Sequence, residues 1–242
     1  MKVFSYIKKG INKYTCDDAV IINNQVLTDG ALNSTFDFID CVCIADGVGG
    51  NKGGHYASRF LLDSISKQDF HGFTTQKLRE YFYDINIKLI QYGKEICCPT
   101  MATTFTGFFN INNKRYIVHI GNTRLYVMQG NYLKQITKDQ TRYQLLLDKG
   151  ECELAEKINK NEIIGCFGGG NKEYISSLMI YEIYGESKIY LLTTDGIHEY
   201  VDIDDLENGI LLEDEASYSR RILERARNNG SEDDASILIV RM

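Results

Sequence analysis

The sequence is poor in the features that usually divide a chain or anchor it in a membrane. It contains one proline, Pro99, and no Ser/Gly-rich linker or low-complexity tract, and domain boundaries normally fall in such tracts. We therefore predict a single domain over residues 1–242. No segment approaches the roughly 18 consecutive apolar residues of a membrane span, and the first residues lack the apolar stretch of a signal peptide. We expect a cytoplasmic monomer without membrane contact.

A basic surplus and zinc-type cysteine spacings are also absent. The chain has 27 Lys and Arg against 33 Asp and Glu, a net charge of -6. Because this balance does not attract phosphate backbones, we expect no nucleic-acid partner. The seven cysteines include the pairs Cys41/Cys43 and Cys97/Cys98, whose spacing does not point two thiolates at one zinc ion. We expect reduced, mostly buried thiols.

Apolar runs typical of β-strands dominate the first and last thirds of the chain. The runs are DAVIINNQ, FDFIDCVCIAD, TTFTGFFNI, RYIVHIG, RLYVMQG, SSLMIYEIYG, SKIYLLTTD and ASILIVRM. Helical periodicity covers about 57–65, 76–90 and 216–228, and one face of the second helix carries four apolar residues: Leu78, Phe82, Ile85 and Leu89.

The order of these elements predicts the fold class. Three strands in succession between Thr103 and Gln129, separated by short polar breaks, indicate an antiparallel meander. We therefore predict an α+β fold with stacked antiparallel β-sheets. Periodicity weakens over about 138–175, where we expect an irregular, mobile segment.

Single carboxylates stand where apolar runs meet loops. Asp46 ends CVCIAD, Asp195 ends KIYLLTTD, Asp233 precedes ASILIVRM, and Asp17 and Asp18 open DAVII. Mg²⁺ and Mn²⁺ take carboxylate and carbonyl oxygens as ligands. Two ionised carboxylates about 4 Å apart repel by roughly 4 kcal/mol at an effective dielectric near 20, so converging acids need a cation. The positions fit either a metal site or a set of Asp-Gly turns.

The same segments resemble, in order, the motifs of the metal-dependent (type 2C) serine/threonine protein phosphatases. ADGVGGNKGGHYAS is similar to the aspartate-glycine-rich motif of that family, and the further matching segments are CDDA, MATTF, GNTRLY, KDQTRYQLLLDKG, LLTTDGIHEYV and EDDASILIV. The ordered set spans about residues 13–240. The resemblance implies two stacked antiparallel β-sheets flanked by α-helices, with a flap at about 138–175 and a two-metal centre at the sheet ends.

The resemblance also implies a ligand set for two Mn²⁺ or Mg²⁺ ions. Asp46 would bridge both ions. Asp17 and the carbonyl of Gly47 would bind one ion, and Asp195 and Asp233 would bind the other. A water activated by the two ions would attack the phosphorus of phosphoserine or phosphothreonine without a covalent intermediate.

Two further residues take catalytic roles by the same resemblance. Asp18 would hold a metal-bound water, and Lys13 stands at the position of the family's phosphate-binding arginine. Lysine lacks the bidentate fork of guanidinium, so we expect looser phosphate binding. Glycines at Gly47, Gly49 and Gly50 would leave the backbone bare enough for a carbonyl to reach a metal.

The chain departs from the family pattern at three other positions. Val48 stands where some members place a histidine, and His55 nearby is expected to begin a packing helix. Asn122 replaces an aspartate that helps to hold a third ion, so we expect that third site to be weak or absent. Gln140 replaces the usual histidine of the flap.

Two functions remain open from the sequence. The first is an active phosphatase that acts on phosphorylated proteins, as the acids Asp46, Asp195 and Asp233 indicate. The strong use of Asn, Ile, Lys and Tyr is typical of bacteria, and analogy with the family implies that the enzyme would oppose a serine/threonine kinase. The second is a degenerate phosphatase that binds a phosphoprotein without hydrolysing it, as Lys13, Val48 and Asn122 indicate.

Overall fold

The computed structural model describes residues 1–48, 52–185 and 187–242, and within them the chain forms fourteen β-strands and seven α-helices. The strands are β1 (Lys2–Lys8), β2 (Asp18–Ile22), β3 (Gln25–Leu27), β4 (Gly30–Thr35), β5 (Cys41–Asp46), β6 (Ala102–Thr103), β7 (Phe105–Ile111), β8 (Lys114–Ile120), β9 (Arg124–Gln129), β10 (Tyr132–Gln135), β11 (Phe167–Gly168), β12 (Met179–Ile183), β13 (Ile189–Thr193) and β14 (Ala235–Arg241). The helices are α1 (Gly54–Ile65), α2 (Thr75–Glu95), α3 (Arg142–Asp148), α4 (Cys152–Ala155), α5 (Asp195–His198), α6 (Ile203–Glu207) and α7 (Glu215–Asn228).

Two six-stranded antiparallel sheets form the centre of the fold. The first sheet has the order β10-β9-β13-β14-β1-β4, and the second has the order β12-β8-β7-β5-β2-β3. Strands β6 and β11 form a small third sheet. Every neighbouring pair is antiparallel. The predicted α+β fold with stacked antiparallel sheets is confirmed.

Three apolar clusters divide the molecule into four layers. The cluster between the sheets contains Val42 and Phe108 from the second sheet and Leu192 and Leu238 from the first. A second cluster joins α1 and α2 to the outer face of the second sheet, and a third joins α7 to the outer face of the first. Strands β2 and β13 are buried along their whole length, which explains their continuous apolar runs.

Helix α2 shows how the sequence pattern determines the packing. The Thr74 side chain accepts a hydrogen bond from the backbone N–H of Lys77 and caps the helix. The apolar face predicted from the sequence is buried, at Leu78, Phe82, Ile85 and Leu89. The helix continues to Glu95, about five residues beyond its predicted end.

The predicted meander from Thr103 to Gln129 is wrong. Strands β7 and β8 pair in the second sheet, but β9 pairs with β10 and β13 in the first. The chain changes sheets at Gly121, where φ is 100° and a Cβ would lie 2.6 Å from the Cβ of Thr104. A short polar break between two strands can be a hairpin turn within one sheet or a crossing to the other sheet, and the sequence pattern does not distinguish the two. The crossing brings Asn122 to the ends of both sheets.

The cysteine prediction is wrong in part. All seven cysteines are free thiols, but only Cys41, Cys43 and Cys166 are buried, and Cys97 and Cys152 are exposed. The two exposed residues lie just after α2 and within the segment 138–175, at the surface of the domain. In the described part of the chain, no helix is long and apolar enough to cross a bilayer.

The segment 138–175 is mostly irregular. It contains the short helices α3 and α4, strand β11 and the start of a 3₁₀ turn at Tyr174–Ser177. Its beginning is tied to the first sheet because the Arg124 guanidinium donates to both carboxylate oxygens of Asp139, at distances of 2.6–3.2 Å. This largely buried pair was not predicted from the sequence, although both residues lie in the quoted motifs.

Candidate metal centre

The predicted site residues come from strand ends in both sheets. Asp18 begins β2 and lies opposite Asp46, the last residue of β5. In the other sheet, Asp195 follows β13 and Asp233 precedes β14, which are antiparallel neighbours. These ends meet on one side of the stacked sheets, because Asp18 contacts Thr194 and Ser236 at the ends of β13 and β14.

Asp18 joins the two sheets through one of its carboxylate oxygens. Its Oδ2 accepts hydrogen bonds from Thr194 Oγ1 at 2.9 Å and from Ser236 Oγ at 2.6 Å. Its Oδ1 is buried and has no partner, and an unpaired buried carboxylate oxygen is unfavourable. Burial, followed by the charge of Asp234, raises the pKa of Asp18 well above its ordinary value. A cation, or a water held by one, fits this oxygen.

Asp46 and Asp195 lie close enough for each to influence the ionisation of the other. Burial raises the pKa of Asp46 well above its ordinary value, and the charges of Asp195, Asp18 and Asp233 add to this effect. Burial and then the charge of Asp233 raise the pKa of Asp195. Without a cation, burial and mutual repulsion therefore disfavour the ionised forms of these acids. The charge of a bound divalent cation would instead stabilise the ionised carboxylates.

Gly47 and Gly54 form a narrow cradle beside Asp17. The Gly47 N–H donates to the carbonyl of Asp17 at 3.0 Å. A Cβ on Gly47 would lie 2.4 Å from the Gly54 carbonyl, and a Cβ on Gly54 would lie 3.0 Å from the Gly47 oxygen and 3.1 Å from Asp17 Cγ. The missing side chains leave room at the two oxygen groups predicted to share an ion. Gly49 and Gly50 lie outside the described residues.

Two threonines hold the backbone of Asp46. The carbonyl of Asp46 accepts hydrogen bonds from Thr104 N–H at 2.8 Å and Thr103 Oγ1 at 2.9 Å. Thr104 Oγ1 also accepts from the Asp46 N–H at 3.2 Å. These contacts give the MATTF motif a physical role, which is to fix the direction in which the Asp46 side chain leaves the strand.

Lys13 is surrounded by carboxylates. Its ammonium donates to Asp234 Oδ2 at 2.9 Å, forms a short hydrogen bond with Asp233, and lies 3.6 Å from Asp17 Oδ2. Burial acts to lower the pKa of Lys13, but the hydrogen bonds and charges of Asp233 and Asp234 outweigh it and raise the pKa. Lys13 is therefore positively charged at neutral pH and lies beside the predicted metal ligands Asp17 and Asp233.

Asp234 is a site residue that the sequence interpretation missed. It is 2% exposed, and besides Lys13 it accepts from the backbone N–H groups of Gly10 and Asp17, both at 2.7 Å. It therefore holds the loop that carries Lys13 and Asp17. Its signal in the sequence is the second acid of EDDAS, which directly follows the predicted ligand Asp233.

In the described part of the chain, no three His, Cys, Asp or Glu side chains form a group that could hold a metal ion as they stand. Asp233 does not join the other acids in such a group, because its carboxylate is about half exposed and contacts Lys13. The unpartnered oxygen of Asp18, the raised pKa values of Asp46 and Asp195, and the glycine cradle all fit hard cations. To bind both ions, the Asp233 carboxylate would have to break its contact with Lys13 and bind a metal ion instead.

Asn122 and Gln140 occupy defined positions. Asn122 Nδ2 donates to Asp195 Oδ2 at 3.1 Å. Gln140 Nε2 donates to the carbonyl of Ser177 at 2.9 Å, and its Oε1 accepts from the Gly121 N–H at 3.2 Å. Gln140, near the start of the segment 138–175, therefore connects Ser177, just after the end of that segment, to the loop that carries Asn122.

His55 lies at the start of α1, as the resemblance implied, and its Nδ1 is 3.6 Å from Asp17 Oδ1. The imidazole therefore lies next to the predicted metal ligand Asp17. Val48, which lacks an ionisable side chain, is half-buried at the end of the described segment 1–48.

The described part of the chain also has a cleft that lies away from these acids. It has a volume of about 660 Å³ and is lined by Asn23, Cys41 and Asn110, among others. Because Cys41 begins β5 and Asp46 ends it, this cleft lies at the opposite end of the second sheet. The carboxylate site is therefore identified by its chemistry and not by the size of its opening.

Comparison with known proteins supports the family resemblance. No protein-family model matches the chain. The chain is 26% identical over 213 residues to the serine/threonine phosphatase Stp of Listeria welshimeri, which covers 82% of this chain and 83% of that protein.

Two solved structures share the fold. The serine/threonine phosphatase Stp1 from Staphylococcus aureus has a TM-score of 0.80 at 22% identity, covering 99% of this chain and 94% of that one. The catalytic domain of the serine/threonine protein phosphatase PstP, in complex with two manganese ions, has a TM-score of 0.73 at 21% identity, covering 99% and 98%. In sequence this chain is similar to a bacterial protein named as a serine/threonine phosphatase, and it shares the fold of two solved serine/threonine phosphatases.

Proposed function

We propose that the protein is a Mn²⁺- or Mg²⁺-dependent phosphatase that hydrolyses phosphoserine and phosphothreonine in proteins without a covalent intermediate. One observation carries the proposal. The carboxyl groups of Asp18, Asp46 and Asp195 come from separate strand ends, each has a raised pKa, and one oxygen of Asp18 is buried without a partner.

The ligand assignment follows the positions described above. Asp46 would contact both ions, Asp17 and the Gly47 carbonyl would hold one, and Asp195 and Asp233 would hold the other. When bound, such a pair of ions supplies a hydroxide nucleophile at neutral pH and polarises the phosphoryl oxygens.

The protein's own groups orient the reactants. Thr194 and Ser236 fix one oxygen of Asp18, so its other oxygen can accept a hydrogen bond from the attacking water and set its direction. Lys13, held by Asp234, supplies positive charge to the phosphate but not the fork of an arginine. Val48 cannot donate a proton, so the proton for the leaving alkoxide would have to come from water or from another side chain.

The biological setting is part of the proposal. The substrates would be phosphorylated proteins made by a serine/threonine kinase, and the enzyme would act as a monomer in the cytoplasm. The support for the substrate class is the similarity to proteins named as serine/threonine phosphatases.

A second candidate is a degenerate phosphatase that binds phosphoproteins without hydrolysing them. The specific observation in its favour is that Lys13 engages Asp233, so a proposed metal ligand is already paired. A third site weakened by Asn122 would also lower turnover.

Phosphate release from a phosphothreonine peptide separates the two candidates. With Mn²⁺ we expect turnover by the wild type, a loss of at least about 100-fold in Asp195→Asn because a ligand is removed, and no change in Asp84→Asn, a control at an exposed aspartate on α2. No Mn²⁺-stimulated release by the wild type, combined with tight peptide binding, would favour the second candidate. Full turnover in Asp195→Asn would overturn the proposed ligand set.

A further inference from the structure

A second cleft adjoins the candidate metal centre on the side of Asp17. It has a volume of about 360 Å³, and its lining includes Lys9, Tyr14, Thr28, His55 and Arg59. His55 lies 3.6 Å from the Asp17 carboxylate, so the imidazole separates this cleft from the predicted ligands. A peptide whose phosphorylated residue enters the centre would therefore place neighbouring residues in or beside the cleft.

The cleft carries more positive than negative charge. Lys9 and Arg59 line it, against one carboxylate, Asp29. The whole chain has a net charge of -6, whereas the side chains that line the cleft carry one more positive than negative charge, with Asp63 beside Arg59 outside the lining. A surface of this kind attracts anions to a particular position on an otherwise acidic molecule.

Both cations are available to a ligand. Lys9 is exposed. Within the described part of the chain, its ammonium donates one hydrogen bond, to the carbonyl of Tyr14 at 3.5 Å. The Arg59 side chain is 65% exposed, and its pair with Asp63 spans 3.5 Å. Exposed pairs of this kind contribute little, so a carboxylate from a ligand can compete for the guanidinium.

Tyr14 adds a contact surface at the same place. Its side chain is 100% exposed, and it follows Lys13 directly in sequence. An aromatic ring that is fully exposed beside a charged cleft is the type of residue that contributes to peptide recognition.

We propose that this cleft is a specificity site for acidic residues that flank the phosphorylated residue of the substrate. The inference rests on the proposed function and adds a substrate class to it: phosphoserine and phosphothreonine segments rich in Asp or Glu. Lys9 and Arg59 bind the flanking carboxylates, and Tyr14 packs against the peptide.

Three matched peptides test the inference. Each carries one phosphoserine flanked on both sides by two glutamates, two glutamines or two lysines. In Mn²⁺ we expect kcat/KM of the wild type to be about fivefold higher for the glutamate than for the glutamine peptide, the size expected of two exposed charge pairs, and lowest for the lysine peptide. The double variant Lys9→Gln/Arg59→Gln should reduce this ratio to about one and leave hydrolysis of p-nitrophenyl phosphate unchanged.

The double variant Lys134→Gln/Arg220→Gln is the control. It removes the same charge at two exposed positions, on β10 and α7, that do not line the cleft, and it should keep the wild-type ratio. A wild-type ratio of one or below, or an unchanged ratio in Lys9→Gln/Arg59→Gln, would overturn the inference.

Binding without turnover separates this inference from the proposed function. Fluorescence anisotropy with the same peptides in EDTA should show the same order of affinity in the wild type and its loss in Lys9→Gln/Arg59→Gln. If no substrate, including p-nitrophenyl phosphate, is hydrolysed while this order of affinity persists, the proposed hydrolysis fails and the cleft stands. Equal affinities for all three peptides would refute the cleft even in an active enzyme.

Discussion

Asn122 donates a hydrogen bond from Nδ2 to Oδ2 of Asp195 across 3.1 Å, while its own Oδ1 is buried without a partner. The amide therefore positions a predicted metal ligand without adding charge to the site. An ionised aspartate at residue 122 could not donate this bond and would add a further carboxylate beside Asp195, which already has Asp46 and Asp233 nearby.

The first prediction concerns Asn122→Asp. In EDTA we expect the free energy of unfolding to fall by about 2 kcal/mol, because a donor is lost and two buried carboxylates face each other. In Mn²⁺ the loss should become smaller, since the new carboxylate is a better ligand for a hard cation than an amide. Urea unfolding in both conditions measures this, with Asn122→Leu as the control that loses stability equally in both. An equal loss for Asn122→Asp would contradict the prediction.

The second prediction concerns Asp46→Asn. The pKa of Asp46 is higher in the folded protein than in the unfolded chain. The stability that Asp46 contributes is therefore fully present below the unfolded pKa of about 4 and is lost as the pH rises through the folded pKa. In EDTA at pH 8, Asp46→Asn should therefore be more stable than the wild type by about 1–2 kcal/mol. In Mn²⁺ the order should reverse. Thermal unfolding in the two conditions measures both, and a variant less stable than the wild type in EDTA would count against mutual repulsion.

The third prediction concerns Gly54→Ala. The added Cβ would lie 3.0 Å from the Gly47 oxygen and 3.1 Å from Asp17 Cγ, so it narrows the cradle between two predicted ligand groups. We expect Mn²⁺ affinity to fall about tenfold, or about 1.4 kcal/mol, with little change in stability in EDTA. In Gly93→Ala the Cβ would lie 2.7 Å from the Cys98 carbonyl, away from the site. That control should lose stability and keep its Mn²⁺ affinity; the same affinity in both variants would exclude the cradle.

The fourth prediction is a pH dependence that is independent of the metal centre. Burial lowers the pKa of His119 to about 4, and its ring nitrogens contact Thr106 Oγ1 and the Lys138 carbonyl, both at 2.9 Å. The unfolded chain takes up this proton near pH 6.5, so stability falls as pH drops from about 6.5 to 4, by up to about 3 kcal/mol.

Urea unfolding at pH 7 and pH 5 measures this effect. His119→Gln should show a smaller difference between the two pH values than the wild type. The control His71→Gln changes an exposed histidine and should match the wild type. If His119→Gln retains the full pH dependence, other groups are responsible.

The sequence predicted those features that depend on local spacing. The buried face of α2 follows from apolar residues at helical intervals. The acids Asp18, Asp46 and Asp195 could be located because each opens, ends or follows a buried, mainly apolar strand. Such signals are present in a short window of sequence, so no knowledge of the partner element is needed.

Features that depend on distant segments were not predicted. Strand β1 was missed because its hydrogen-bonding partners, β14 and β4, are supplied by tertiary pairing. The sheet crossing at Gly121 and the support of Asp17 by Asp234 depend in the same way on contacts across the fold. The pairing of Asp233 with Lys13 joins residues 220 positions apart, and no local pattern indicates it.

Isothermal titration of Mn²⁺ into the metal-free protein tests the central claim most directly. Acids from far-apart strand ends should bind two ions per chain, and Asp46→Asn should lose both because Asp46 contacts each of them. Binding of no ions by the wild type, or of two ions with unchanged affinity by Asp46→Asn, would contradict the account.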